Sequence, residues 1–140
     1  MLTIDNLVDF GIDTDILDKI LGYLKINREI ELIICDDKHI QEINSTHRGI
    51  DKATDVLSFP MDGELEVLPL GSIIISKDRV LEVAKRLGHT PEEEFTLLFI
   101  HGVLHLLGFD HEVDSGQMRE SEQEIIEQFN LPKSLIIRSE

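Results

Sequence analysis

The sequence predicts a single α+β domain over residues 1–140, in which a mixed β-sheet packs against a helical layer with a central apolar helix. Three observations predict it. Short β-branched runs, EIELIIC at 29–35 and GSIIIS at 71–76, alternate with segments whose apolar residues recur at helical spacing. The segment from Phe95 to Leu107 is apolar almost all round, so it must be covered on most sides. No internal repeat or low-complexity linker divides the 140 residues, a length that suits one core.

Each element follows from local chemistry. Residues 1–6 read as a short strand. From Asp13 to Leu24, Ile16, Leu17, Ile20, Leu21 and Leu24 repeat at helical spacing behind an Asp13/Thr14 start. Residues 29–35 form a strand, and DDKHIQEIN a short helix beginning near Asp36. In THRGIDKATDVLSFP the first half has turn chemistry, and TDVLSF is a strand closed by Pro60. MDGELEVLP is an acidic connection with an Asp-Gly turn. GSIIIS is a buried strand, and Ser76 caps a helix that buries Val80, Val83, Ala84 and Leu87 before Gly88 ends it. Thr90-Pro91-Glu92-Glu93 combines a capping box with proline at the first helical position, starting a helix that runs to about Leu107. A last amphipathic helix, from Ser115 to Phe129, buries Met118, Ile125, Ile126 and Phe129.

Composition narrows the function. Thirteen basic against 28 acidic residues give a net charge of −15, which disfavours indiscriminate binding to DNA or an anionic membrane. A local basic strip remains compatible with that charge. Cys35, the single cysteine, cannot form an internal disulfide. The start MLTIDNLVDFGIDTD has no basic n-region and meets Asp5 too early for a signal peptide. No apolar run approaches the length needed to cross a bilayer. A soluble cytoplasmic protein is expected.

The chemistry is concentrated in HGVLHLLGFDH, residues 101–111. His101 and His105 lie four apart on a helix and share a face, so both rings can aim at one point. Gly108 permits a left-handed turn that brings His111 back over it. Three imidazoles in apolar surroundings are costly unless a metal occupies their nitrogens, and such a set makes an open site with a coordination position to spare. The competing reading is a group of satisfied core or rim histidines. A closed structural site needs a fourth ligand, but Cys35 ends an apolar strand and reads as core packing. Asp110 is placed to hold a ligand imidazole, whereas Glu112 and Asp114 read as a solvated acidic loop. The spacing H-x-x-x-H-x-x-G-x-x-H is that of metzincin peptidases, which carry a glutamate base directly after the first histidine. Here Gly102 stands in that position, which argues against peptide hydrolysis. Met118 falls on a helix stripe and reads as core.

HGVLHLLGFDH, together with Arg48-Gly49 and TDVLSF at 54–59, resembles the YbeY family of bacterial endoribonucleases, which act in ribosomal RNA maturation. The order of elements fits over nearly the whole chain. The resemblance implies that His101, His105 and His111 hold zinc, although imidazoles also accept nickel, copper and iron. It implies that Arg48 is catalytic and substrate-binding, with Lys52, Thr54, Asp55 and Ser58 also contacting substrate. Two positions depart from the family pattern: Ser72 stands where aspartate is common, and His47 where tyrosine is frequent. The implied activity is cleavage of single-stranded RNA, ribosomal RNA above all, with the ribosome or ribosome-associated proteins as partners. An arginine fork suits a phosphate better than lysine does. Lys77, Arg79, Lys85 and Arg86 crowd one helix and, with Lys38, Arg48 and Lys52, read either as a positive groove for RNA or as an ordinary solvated face. Alternatives are a metallohydrolase of peptides or small molecules and a non-catalytic assembly protein with a structural metal.

Overall fold

The computed structural model describes residues 2–61, 69–109 and 116–131. Among these described residues, nine elements follow in chain order: β1 (Leu2–Asn6), α1 (Thr14–Tyr23), β2 (Ile30–Cys35), α2 (Asp37–Arg48), β3 (Val56–Pro60), β4 (Gly71–Ser76), α3 (Lys77–Leu87), α4 (Pro91–Leu106) and α5 (Gln117–Gln128). The strands form one mixed sheet in the order β1-β2-β4-β3, with β1, β2 and β4 parallel and β3 antiparallel to β4. Pro60 closes β3, and that strand is a sheet edge, where a residue without an N–H is tolerated.

Alternation along the strands sorts the core into two faces. Ile30, Leu32, Ile34, Ile73 and Ile75 pack with Phe95, Phe99 and Val103 of α4 and Leu17 of α1. Cys35, Ile74 and Leu57 face the other way and pack with Ile40 of α2. The sheet therefore has helical cover on both faces rather than one. Helix α5 lies on the far side of α4, where Leu97 meets Ile126. That sandwiching explains why α4 is buried from Glu94 through Ile100 with no polar face.

The α4 start is the expected capping box. Glu93 N donates to Thr90 Oγ1 at 3.1 Å and Thr90 N to Glu93 Oε1 at 2.9 Å. Four expectations are corrected. Helix α2 does not stop at Asn44 but runs on to Arg48, because the turn chemistry begins only at Gly49, which takes the left-handed conformation at φ +69°. Ser76 occupies the N-cap of α3 without capping it; its hydroxyl instead donates to Asp37 Oδ1 at 2.8 Å. Leu87 is 37% exposed, since helical side chains lean toward the N-terminus and no turn follows to cover the last one. Phe129 lies just past α5 and is half-buried against the core. Of the acidic connection, residues 62–68 lie outside the described set.

Close approach of α4 to the sheet requires two glycines. A Cβ on Gly102 would sit 2.9 Å from Ile73 Cγ2. On Gly71 it would meet the backbone oxygen of Phe59 at 2.5 Å and Leu106 Cδ2 at 2.6 Å. Backbone does not yield as a side-chain end does, so Gly71→Ala is expected to destabilise the fold by about 1–3 kcal/mol, read by urea unfolding. An unchanged midpoint would show that β3 and α4 stand further from β4 than this. Among the described residues no helix is long and apolar enough to cross a membrane.

Candidate active site

The last two turns of α4 present His101 and His105 toward a cleft of about 600 Å³ at the β3 edge of the sheet, whose lining includes Arg48, Asp55, Ser58 and Phe109. The imidazoles stand edge to face, with ring centres 4.6 Å apart and planes at 76°. Their Nε2 atoms approach to 3.1 Å. Nitrogens at that separation fit a shared cation, since bonds of about 2.0–2.1 Å from each span the gap. Without an ion the same distance suits an N–H donated from one ring to the other.

Behind His101, its Nδ1 lies 2.6 Å from Oε1 of Glu122. Glu122 is on α5 and 1% exposed. Sequence reasoning missed this residue, although a signal existed. Met118, Glu122, Ile125 and Ile126 form the buried stripe of α5, so one carboxylate occupies an apolar position. A second buried pair, His89 Nε2 with Glu94 Oε1 at 2.8 Å, was also missed. It joins the α3–α4 turn to the first turns of α4, and neither residue lines the histidine cleft.

The structure gathers some predicted residues and not others. His101, His105, Arg48, Asp55 and Ser58 share the cleft. Arg48 is the last residue of α2; its side chain is exposed and forms no hydrogen bond or ion pair with the described residues. Asp55 Oδ1 accepts from Val56 N at 2.8 Å, and Ser58 Oγ reaches the carbonyl of Gly102 at 3.4 Å. Lys52 is exposed and Thr54 half-buried, and neither lines the cleft. The chain reverses after α4 as expected: Gly108 has φ +98°, and Phe109 N donates to Leu104 O at 3.0 Å. Asp110, His111, Glu112 and Asp114 lie outside the described residues.

The remaining candidates resolve on structural grounds. Gly102 is where a metzincin keeps its glutamate, and the contact with Ile73 leaves no room for a side chain there. Met118 is core, 1% exposed. Cys35 is on the sheet face away from α4, where burial first, then Asp36, Asp37 and Asp78, push its thiol up to about 12. Ser72 alternates onto that same face and donates to Glu31 Oε1 at 2.9 Å, so it does not reach the cleft. The His47 ring packs on Phe59 with centres 5.4 Å apart. On α3, Arg79 is held by Asp37 at 3.3 Å and Glu82 at 3.7 Å, while Lys85 and Arg86 lie exposed in the last turn. None of these α3 residues lines the cleft.

Comparison with known proteins gives a consistent picture. Residues 11–130 match the family model described as Endoribonuclease YbeY. A curated protein of that description from Sulfurimonas denitrificans is 56% identical over 140 residues, covering 100% of this chain and 99% of its own length. One from Wolinella succinogenes is 53% identical with the same coverage, and one from Campylobacter jejuni 57% identical over 89% of this chain and 92% of its own. Among solved structures, TM1509 from Thermotoga maritima superposes with a TM-score of 0.61 at 27% identity, covering 96% of this chain and 95% of that one.

Proposed function

Because this chain belongs to the YbeY family of endoribonucleases, we propose that it is a metal-dependent enzyme that cuts single-stranded RNA, ribosomal RNA above all, at the histidine cleft. The observation that carries this reading is the 3.1 Å convergence of two imidazole Nε2 atoms in a cleft shared with an arginine. His101, His105 and His111 would hold one zinc ion per chain, with Asp110 as a candidate to orient one of the rings. When bound, such an ion polarises water or a phosphoryl oxygen and offsets the negative charge of the transition state.

The chain's own residues do the rest. Arg48 grips a phosphate of the scissile linkage with its fork of donors, free of competing ion pairs among the described residues. Ser58 and the backbone at the start of β3 face the same cleft and orient the sugar-phosphate chain. Lys52 and Thr54 contact the RNA beyond the cleft wall. Phe109 covers the core beneath the cleft and keeps water from its floor. With no side chain on Gly102, this helix offers no adjacent carboxylate base of the peptidase kind. A net charge of −15 makes intrinsic RNA affinity low, so the ribosome or a ribosome-associated protein in the cytoplasm delivers the substrate.

The test is cleavage by purified protein of labelled single-stranded RNA and of casein, each with and without a chelator. RNA is expected to be cut and casein left intact, with chelation stopping the reaction and added zinc restoring it. Casein hydrolysis, or RNA cutting indifferent to chelator, would overturn the reading. Chelator-induced melting without hydrolysis of either would mark the ion as structural.

A further inference from the structure

The carboxylate behind His101 has no role in the reading above, and its surroundings are unusual. Glu122 is 1% exposed, with Oε1 2.6 Å from His101 Nδ1 and with Oε2 buried and unpartnered. A buried acid that leaves half of its acceptor capacity unused is a poor stabiliser compared with an apolar side chain on the same stripe. What it does supply is direction.

We infer that Glu122 is the positioning residue of this centre: its carboxylate accepts the Nδ1–H of His101 and so fixes the ring tautomer whose Nε2 lone pair faces His105 and the cleft. The inference rests on His101 being a metal ligand. The logic is that of donor counting. A neutral imidazole carries one N–H, and a carboxylate can only accept, so the proton sits on Nδ1 and Nε2 is left as an acceptor. The 3.1 Å contact is then an Nε2–H of His105 donating to Nε2 of His101 in the metal-free protein. The same lone pair, and that of His105 once its own proton has shifted to Nδ1, would be available to a cation.

Packing makes the placement rigid. Met118 lies four residues before Glu122 and Ile125 three after it, and both are buried in the main core at 1% exposure. Ile126 locks against Leu97 of α4. The carboxylate therefore arrives with the docking of α5 onto α4. The His101 side chain is 23% exposed, so its ring reaches the cleft while its other nitrogen stays inside.

The test uses Glu122→Gln, which keeps the shape, and Glu122→Leu, which removes the acceptor. Nitrogen NMR of the neutral His101 ring in the metal-free protein reads the tautomer. Competition with a chelating dye reads cobalt affinity, and thermal melting checks that each variant folds. The wild type is expected to show Nδ1–H, and the leucine variant Nε2–H. Cobalt affinity is expected to fall by about 10–100-fold, less for glutamine than for leucine. A purely structural role would lower the melting temperature without moving the tautomer, and that result overturns the inference. Equal cobalt affinity in wild type and both variants overturns it too, while the metal reading stands. A wild-type chain that takes up no cobalt sinks the metal reading itself, and the inference with it.

Discussion

Alanine at His101 is expected to slow RNA cleavage by about 10³-fold or more and to leave the purified chain without its ion. The size follows from what a bound cation contributes. Several kcal/mol of transition-state charge stabilisation disappear with it, and each 1.36 kcal/mol is tenfold in rate. Removing this ring also strips the buried carboxylate of Glu122 of the N–H donor 2.6 Å away, so part of any loss would come from the fold. His105→Ala is the companion that separates the two. It keeps the bond between His101 and Glu122, and it is expected to lose activity to the same degree. Single-turnover cleavage, metal content and melting temperature measured together make the comparison. Full activity in either variant at unchanged metal content would remove that histidine from the centre.

Arg48→Ala is expected to lower kcat by about 10²–10³-fold, the usual loss when one preorganised donor to a developing oxyanion is deleted. Stability should hardly change, within about 0.5 kcal/mol, because the side chain is exposed and engages none of the described residues. Arg48→Lys keeps the charge but loses the two-pronged geometry, so only part of the rate returns. An effect confined to KM would make Arg48 a general RNA contact rather than a group that acts in the transition state. Wild-type kinetics in the alanine variant would remove it from the site.

Much of this was legible from residue patterns. The β-branched runs of β2 and β4 and the Thr90-Pro91 capping box announce their elements, since local chemistry and tertiary packing agree there. His101 and His105 are legible by spacing alone, because a helix puts i and i+4 on one face. Arg48 is different. It stands out only through the motif it shares with a family, as an exposed helix-terminal arginine has no distinguishing local pattern. The end of α2 was misread because Thr46, His47 and Arg48 look like part of a turn, whereas the left-handed residue that closes the helix is Gly49. The role of Gly102 as a packing residue needed the distance to Ile73, which no sequence pattern encodes. Glu122 was legible only in part. Its place on the stripe of Met118, Ile125 and Ile126 marks an apolar position, but a glutamate in a charged helix reads as solvated by default, and its partner on another helix is encoded by no local pattern.

The central claim is that three imidazoles share one cation. Elemental analysis of protein purified without a histidine tag tests it most directly, with the wild type beside His101→Ala, His105→Ala and His111→Ala. One equivalent of a transition metal, zinc by expectation, should accompany the wild type, and each variant should lose it. A wild-type chain free of transition metal, or variants that keep a full equivalent, would contradict the claim.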